Sequence, residues 1–153
     1  MRRLPICFAF TLLLAATFCA SAATGKVVKV LPHFLDLKGR HSLTPSLYDR
    51  DAYQAQLRRN PEQRSALRFD VQWRAQGVQD KLKLKVELRG TAKGDFPGST
   101  TLESEIKPGR KNSRWTSLAL KGEDYKKFGE VTAWRVTLWD GEQLVGEQKS
   151  FLW

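Results

Sequence analysis

The chain predicts an all-β fold: an antiparallel β-sandwich of about seven strands with one helical insertion near residues 45–59. Three observations carry this expectation. Apolar and polar residues alternate strictly over two stretches, Leu67 to Ala75 and Leu82 to Leu88, the period of a half-buried strand. Asp140-Gly141 separates two strand-like runs, and such a pair tolerates the positive φ that a tight hairpin needs. Turn residues recur about every 8 to 12 positions from Ala66 onward, the spacing of short antiparallel strands.

The first element is not part of the sandwich. Arg2 and Arg3 precede an apolar run, Ile6 to Phe18, followed by the small residues Ala20-Ser21-Ala22. This order is that of a secretory signal peptide over residues 1–22, with Ala23 as the alternative last residue before the cut. The run is shorter than the roughly 20 apolar residues a membrane span requires. A lipid anchor on Cys19 is disfavoured by the bulky Phe18 before it. Both cysteines, Cys7 and Cys19, lie in this leader. The remaining domain, 23–153, is therefore expected to be cysteine-free, which excludes disulfides, thiolate metal sites and a cysteine nucleophile. Its 131 residues are enough for one domain with a core of its own. The full chain carries 26 basic and 16 acidic residues, net +10. Removing Arg2 and Arg3 leaves 24 basic and 16 acidic, net +8. That balance favours anionic partners such as a glycan or another cell-envelope component.

In the domain itself, Lys26 to Leu31 alternates and reads as a first strand. Pro32 suggests an edge position or a kink, with a second short strand over His33 to Leu37. Thr44-Pro45 suits a helix start, and Ser46 with Asp49 is the alternative start. Tyr48, Ala52 and Ala55 then recur at helical spacing, beside Tyr53 and Leu57, until Asn60-Pro61 ends the helix. Strands follow at 67–75, 82–88, 99–106 and 115–120. Lys121 to Gly129 reads as a crossover with one helical turn, and the hairpin around Asp140-Gly141 closes the chain. Trp73, Trp115 and Trp134 fall on apolar stretches and are expected in the core, as is the closing segment Phe151-Leu152-Trp153. No repeat or linker divides the domain.

Trp73 in an early core strand, the Tyr125 crossover and the hairpin from Trp134 to Trp153 together resemble the immunoglobulin-like or fibronectin type III-like sandwich modules. The resemblance covers residues 66–153, with 26–38 as a first strand. The chain departs from those modules in lacking the inter-sheet cysteine pair and in carrying the helical insertion. The resemblance implies a binding or scaffold role by analogy of fold, since such folds host many functions.

Catalytic constellations are sparse. No Gly-x-Ser-x-Gly turn accompanies His33 or His41, so no serine nucleophile is expected. His33, Asp36 and His41 match no metal-ligand spacing, and no catalytic residue, metal ligand or cofactor is assigned. Glu103 and Glu105 alternate with Leu102 and Ile106, as an outward polar face would. Gly90 to Gly94 lacks the spacing of a phosphate loop, so no cofactor site is read there. What remains is a basic surface. Lys81, Lys83, Lys85 and Arg89 share the outward face of one strand. Arg68 and Arg74 join it if that strand pairs with the 67–75 strand. Lys107, Arg110 and Lys111 extend it from a turn. Phe96, flanked by glycines, is a candidate loop contact. The aromatics fall mostly on apolar faces, so nucleic acid is not the expected partner. The leading expectation is thus an exported, non-enzymatic domain that binds an anionic cell-envelope polymer or a protein. Two alternatives are a small carbohydrate-active enzyme, with Tyr48, Asp49, Asp51 and Tyr53 lining a site beside the helix, and a structural subunit that assembles through its terminal strand.

Overall fold

The computed structural model describes residues 23–78, 81–91, 97–106 and 114–153. Residues 1–22, expected to be a leader, and Phe96, Lys107, Arg110 and Lys111 lie outside these described residues. The elements in chain order are β1 (Thr24–Asp36), α1 (Leu47–Arg59), β2 (Arg64–Gln76), β3 (Leu82–Thr91), β4 (Pro97–Ile106), β5 (Arg114–Lys121), α2 (Gly122–Phe128), β6 (Glu130–Asp140) and β7 (Gln143–Lys149). The strands form two antiparallel sheets, one in the order β1-β2-β5 and the other β4-β3-β6-β7. The all-β sandwich with a helical insertion is therefore the architecture of the chain.

The alternation read in the sequence becomes the core. Leu67, Phe69, Val71 and Trp73 of β2 face Leu82, Leu84, Val86 and Leu88 of β3, joined by Val136 and Leu138 of β6. Burying each such side chain contributes about 1.5–3 kcal/mol. The Phe69 ring meets Trp134 edge-on with centroids 6.4 Å apart, and Trp73 Nε1 donates to Thr116 Oγ1 at 2.9 Å. Gly90 marks a tight joint. A Cβ there would lie 2.4 Å from the Glu130 carbonyl oxygen, where the β3–β6 pairing slips by a residue. Among the described residues, no helix is long and apolar enough to cross a membrane.

Several expectations are corrected. β3 pairs with β4 and β6, and β2 pairs with β1 and β5. Arg68 and Arg74 therefore lie on the opposite side of the sandwich from Lys83, Lys85 and Arg89. Alternation specifies which residues face inward but not which strands become neighbours. Pro32 does not divide β1, which runs unbroken to Asp36. β1 is an edge strand, where a missing N–H is tolerated. The helix is capped by Ser46, which accepts from the Asp49 amide, and not by Thr44. Its buried residues are Gln54 and Leu57, while Tyr48 points into solvent. Trp115 is 52% exposed rather than core. Phe151 is fully exposed and Leu152 largely so, so the closing segment does not dock inside the sandwich. Only Ser150 continues the ladder beside Trp134, and the Trp153 ring lies under the Arg89 guanidinium, 4.0 Å away.

Candidate functional site

The register of the three-stranded sheet builds its outer face in rows, spaced by the rise of two strand residues, about 7 Å. Lys26 stands opposite Arg74. The next row is Lys29, Gln72 and Trp115, followed by Leu31, Asp70 and Ser117, then His33, Arg68 and Ala119. The upper two rows are open to water. Lys26, Lys29 and Arg74 are exposed, and Trp115, 52% exposed, shares the row of Lys29 across Gln72. Among the described residues on these rows, Asp70 is the only carboxylate.

The lower two rows form a closed polar network. His33 Nδ1 lies 3.0 Å from Asp70 Oδ2, Arg68 donates to the same oxygen at 2.8 Å, and Ser117 donates to Oδ1 at 2.5 Å. Burial pushes the Asp70 carboxyl up. The hydrogen bonds from His33, Ser117 and Arg68, with the Arg68 charge, outweigh it and hold the group well below the usual carboxylate range. The segment between β1 and α1 folds over this end, placing the His41 ring 5.3 Å from His33. Burial depresses the His41 pKa, and the nearby Arg68, His33 and Arg50 charges add to the effect against a smaller opposing pull from Asp70. His33 itself is only 8% exposed.

The covering segment is anchored by Asp36 and Gln54. Asp36 Oδ1 accepts from the Lys38 and Arg40 amides, both at 2.8 Å, and Oδ2 accepts from the Arg40 guanidinium and the Tyr53 hydroxyl. Burial opposes ionisation of Asp36, but these donors win and hold its pKa at about 2. Burial raises the pKa of Tyr53, as does its bond to Asp36. The Gln54 carboxamide copies a strand neighbour: it accepts from the Phe34 amide at 2.8 Å and donates to the Phe34 carbonyl at 2.9 Å. Its amide also donates to the His41 carbonyl. The exposed edge of β1 is thereby blunted by a side chain.

This arrangement bears on several expectations. Ser117 donates to Asp70 and not to a histidine, so these three residues do not form a base-activated nucleophile. Asp36 is committed to its own turn. Among the described residues, no three His, Asp or Glu groups converge as a metal site. The residues named beside the helix do not converge either. Tyr48 is exposed, Asp49 accepts from the Thr44 hydroxyl, Asp51 pairs with Arg50 and Tyr53 turns to Asp36. The basic surface on β3 is partly paired. Lys83 and Lys85 reach Glu103 at 3.9 and 3.1 Å, and Arg89 covers Trp153. Lys81 sits just before β3, its carbonyl accepting from Gly141. Arg68 is held by Asp70, and Arg74 remains on the open rows. The open rows bring Lys26, Lys29 and Trp115 together with Arg74, a combination the sequence expectation missed. The signal was parity: Leu118 and Leu120 face inward, so Trp115, an odd number of positions away, had to face outward.

No family model matches the chain, and no curated protein does. Among solved structures, the crystal structure of a β-glucosidase from Kluyveromyces marxianus aligns with 84% of this chain at 9% identity and a TM-score of 0.30. The aligned region spans 13% of that protein's length, and a likeness so slight carries no argument about this chain's fold or activity.

Proposed function

We propose that the chain is an exported, non-enzymatic binding domain that holds an anionic cell-envelope glycan across the outer face of its three-stranded sheet. The observation that carries this reading is that Lys26, Lys29 and Arg74 share two adjacent rows of one face with a half-exposed Trp115, while Asp70, the one carboxylate on the four rows of that face among the described residues, is already held by three donors. An indole face stacks on the apolar face of a sugar ring, and flanking cations pair with its carboxylate, sulfate or phosphate groups. The cross-strand pair of Lys26 and Arg74 supports the same reading, because like charges directly opposite one another repel until an anion lies between them. Export rests on the leader at residues 1–22. The sheet orders β1-β2-β5 and β4-β3-β6-β7 support the resemblance to immunoglobulin-like or fibronectin type III-like modules, whose role by analogy is binding or scaffolding.

The test is retention on immobilised polygalacturonate, a carboxylated glycan, against neutral dextran, with elution by salt. We expect retention on the charged polymer alone and elution as the Debye length falls below about 10 Å. Trp115→Ala should weaken it about tenfold, in keeping with the loss of one stacked aromatic. The Lys83→Ala, Lys85→Ala double variant, on the other face, should bind as the parent does. Equal retention on dextran, no retention at low salt, or equal sensitivity to both sets of substitutions would overturn the proposal.

A further inference from the structure

A concave site lies at the end of the sandwich near α2, away from the open rows. It is a cleft of about 460 Å³ between the two sheets, within the range of pockets that take small organic ligands. Phe34 of β1, Leu67 of β2, Tyr125 of α2 and Val131 of β6 supply its apolar walls, and Glu62 and Glu130 stand at its rim. Two cations also line it, and both already have partners. The Arg64 guanidinium donates to the Leu57 carbonyl at 2.5 Å and to the Arg58 carbonyl, satisfying groups that the end of α1 leaves open. It also lies 4.1 Å over the Phe34 ring. Lys126 pairs with Glu123 at 3.0 Å. Burial holds the Tyr125 hydroxyl protonated beyond its ordinary range, with Arg64 opposing, so it remains a neutral donor at the cleft wall. Glu62 and Glu130 form no ion pair among the described residues, and both are exposed.

Glu62, Glu130 and Glu123 together outnumber Arg64 and Lys126 around the mouth, so its net charge is negative, although the chain as a whole is strongly basic. We infer that this cleft takes a small cationic amphiphile, an aromatic or branched aliphatic body carrying one ammonium group. The body would displace water from between Phe34, Leu67 and Val131, and the ammonium would stay at the wet rim between Glu62 and Glu130. An anionic ligand of the same shape would meet two unpaired carboxylates at the rim, with Arg64 already shared between the α1 carbonyls and the Phe34 ring and Lys126 drawn to Glu123. The sign of the preferred ligand is thus opposite to that proposed for the sheet face. The two sites are separable in one protein.

The experiment follows backbone amide shifts of the isotope-labelled domain during titration with phenethylamine, hydrocinnamate and phenethyl alcohol, three probes of one shape and different charge. The expected result is saturable shifts at Leu67, Gly129 and Val131 with phenethylamine, and weaker binding of the alcohol and the acid. The Glu62→Gln, Glu130→Gln double variant, which alters only exposed side chains, should lose about fivefold in affinity for the amine, the scale of exposed charge pairs. Val131→Trp should fill the cleft and abolish the shifts. Hydrocinnamate binding as well as the amine, equal binding of the alcohol, or an unchanged affinity in the double glutamine variant would overturn the inference. So would the absence of any saturable shift at these three amides, with the fold verified by the parent spectrum.

Discussion

On the outer face of the four-stranded sheet, lysine and arginine meet their partners across the strands. Lys85 stands opposite Glu103 and Glu87 opposite Arg135, and both pairs are within ion-pair reach. Arg135 also reaches Glu147 on β7 at 3.3 Å. On the outer face of the three-stranded sheet the same residue types are segregated. Arg68 is locked with Asp70 and His33 at one end, while Lys26, Lys29 and Arg74 share two adjacent rows with Trp115 at the other. The contrast teaches that a cationic strand face says little until its cross-strand neighbours are known. Interspersed charges keep a face soluble and non-sticky, whereas segregated ones create a field that a polyanion can use.

The strongest way to break the comparison is at its locked end. Asp70→Ala removes the acceptor shared by His33, Arg68 and Ser117, leaving a buried imidazole unpaired and the half-buried Arg68 guanidinium without its counter-charge. We expect a loss of about 3 kcal/mol, the cost of stranding partly buried polar and charged groups. Glu103→Ala on the opposite face breaks only exposed pairs and should cost less than about 1 kcal/mol. Urea unfolding of both variants measures the difference, and equal losses would mean the two networks are alike in strength.

Acid probes the same network without mutation. Asp36 and Asp70 both have native pKa values below their ordinary 3.8, Asp36 at about 2. A carboxyl depressed in the folded state stabilises it at pH above the unfolded value, and that stability is lost as pH falls through the folded value. The main loss should therefore set in below about pH 4 and continue past pH 2. His41 adds a smaller, earlier step. Its pKa is held below 6.5 in the folded protein, so the unfolded chain binds the proton more readily and stability declines as pH drops through that region. Chemical denaturation at stepped pH should resolve both phases, and His41→Gln should remove the first alone.

How much of this was legible in the sequence depends on the kind of information involved. Inward faces were legible, because the period of two in Leu67–Trp73 and Leu82–Leu88 is a local property of the chain. The hairpin was legible to within one residue: Asp140 closes β6 opposite Gln143, and the two turn residues are Gly141, at φ 55°, and Glu142. Strand partners were not. Lys85 finds Glu103, and Lys26 faces Arg74 across a gap of nearly fifty residues, only because of a register that no local pattern encodes. Trp115 stood between the two cases. Its hydrophobicity suggested core, but its parity against Leu118 and Leu120 suggested solvent, and parity won because a strand has only two faces. The buried polar residues were hidden for a different reason. His33 and Asp36 are covered by the segment between β1 and α1, and Gln54 is buried where α1 meets β1, a tertiary arrangement that inverts what residue type predicts.

The finest test acts on the open end, and there stability and binding should move in opposite directions. Lys26 and Arg74 face each other directly across β1 and β2. Such a like-charge pair is destabilising in the free protein, and an opposite-charge pair in the same place contributes about 0.2–1 kcal/mol. Arg74→Glu converts one into the other. The free domain should become more stable by about 0.5 kcal/mol, a small rise in the urea midpoint with unchanged slope. The same substitution puts a carboxylate into the face proposed to hold an anionic glycan, so retention on polygalacturonate should fall. A residue kept only for solubility would change neither property in this opposed way. If Arg74→Glu stabilises the fold and leaves retention intact, the open rows are not where the polymer lies. If it destabilises the fold, Lys26 and Arg74 are not coupled through water as their register implies. Only the pairing of a more stable domain with a weaker hold on the polymer fits a face whose charge is kept for a partner at a small cost to the fold.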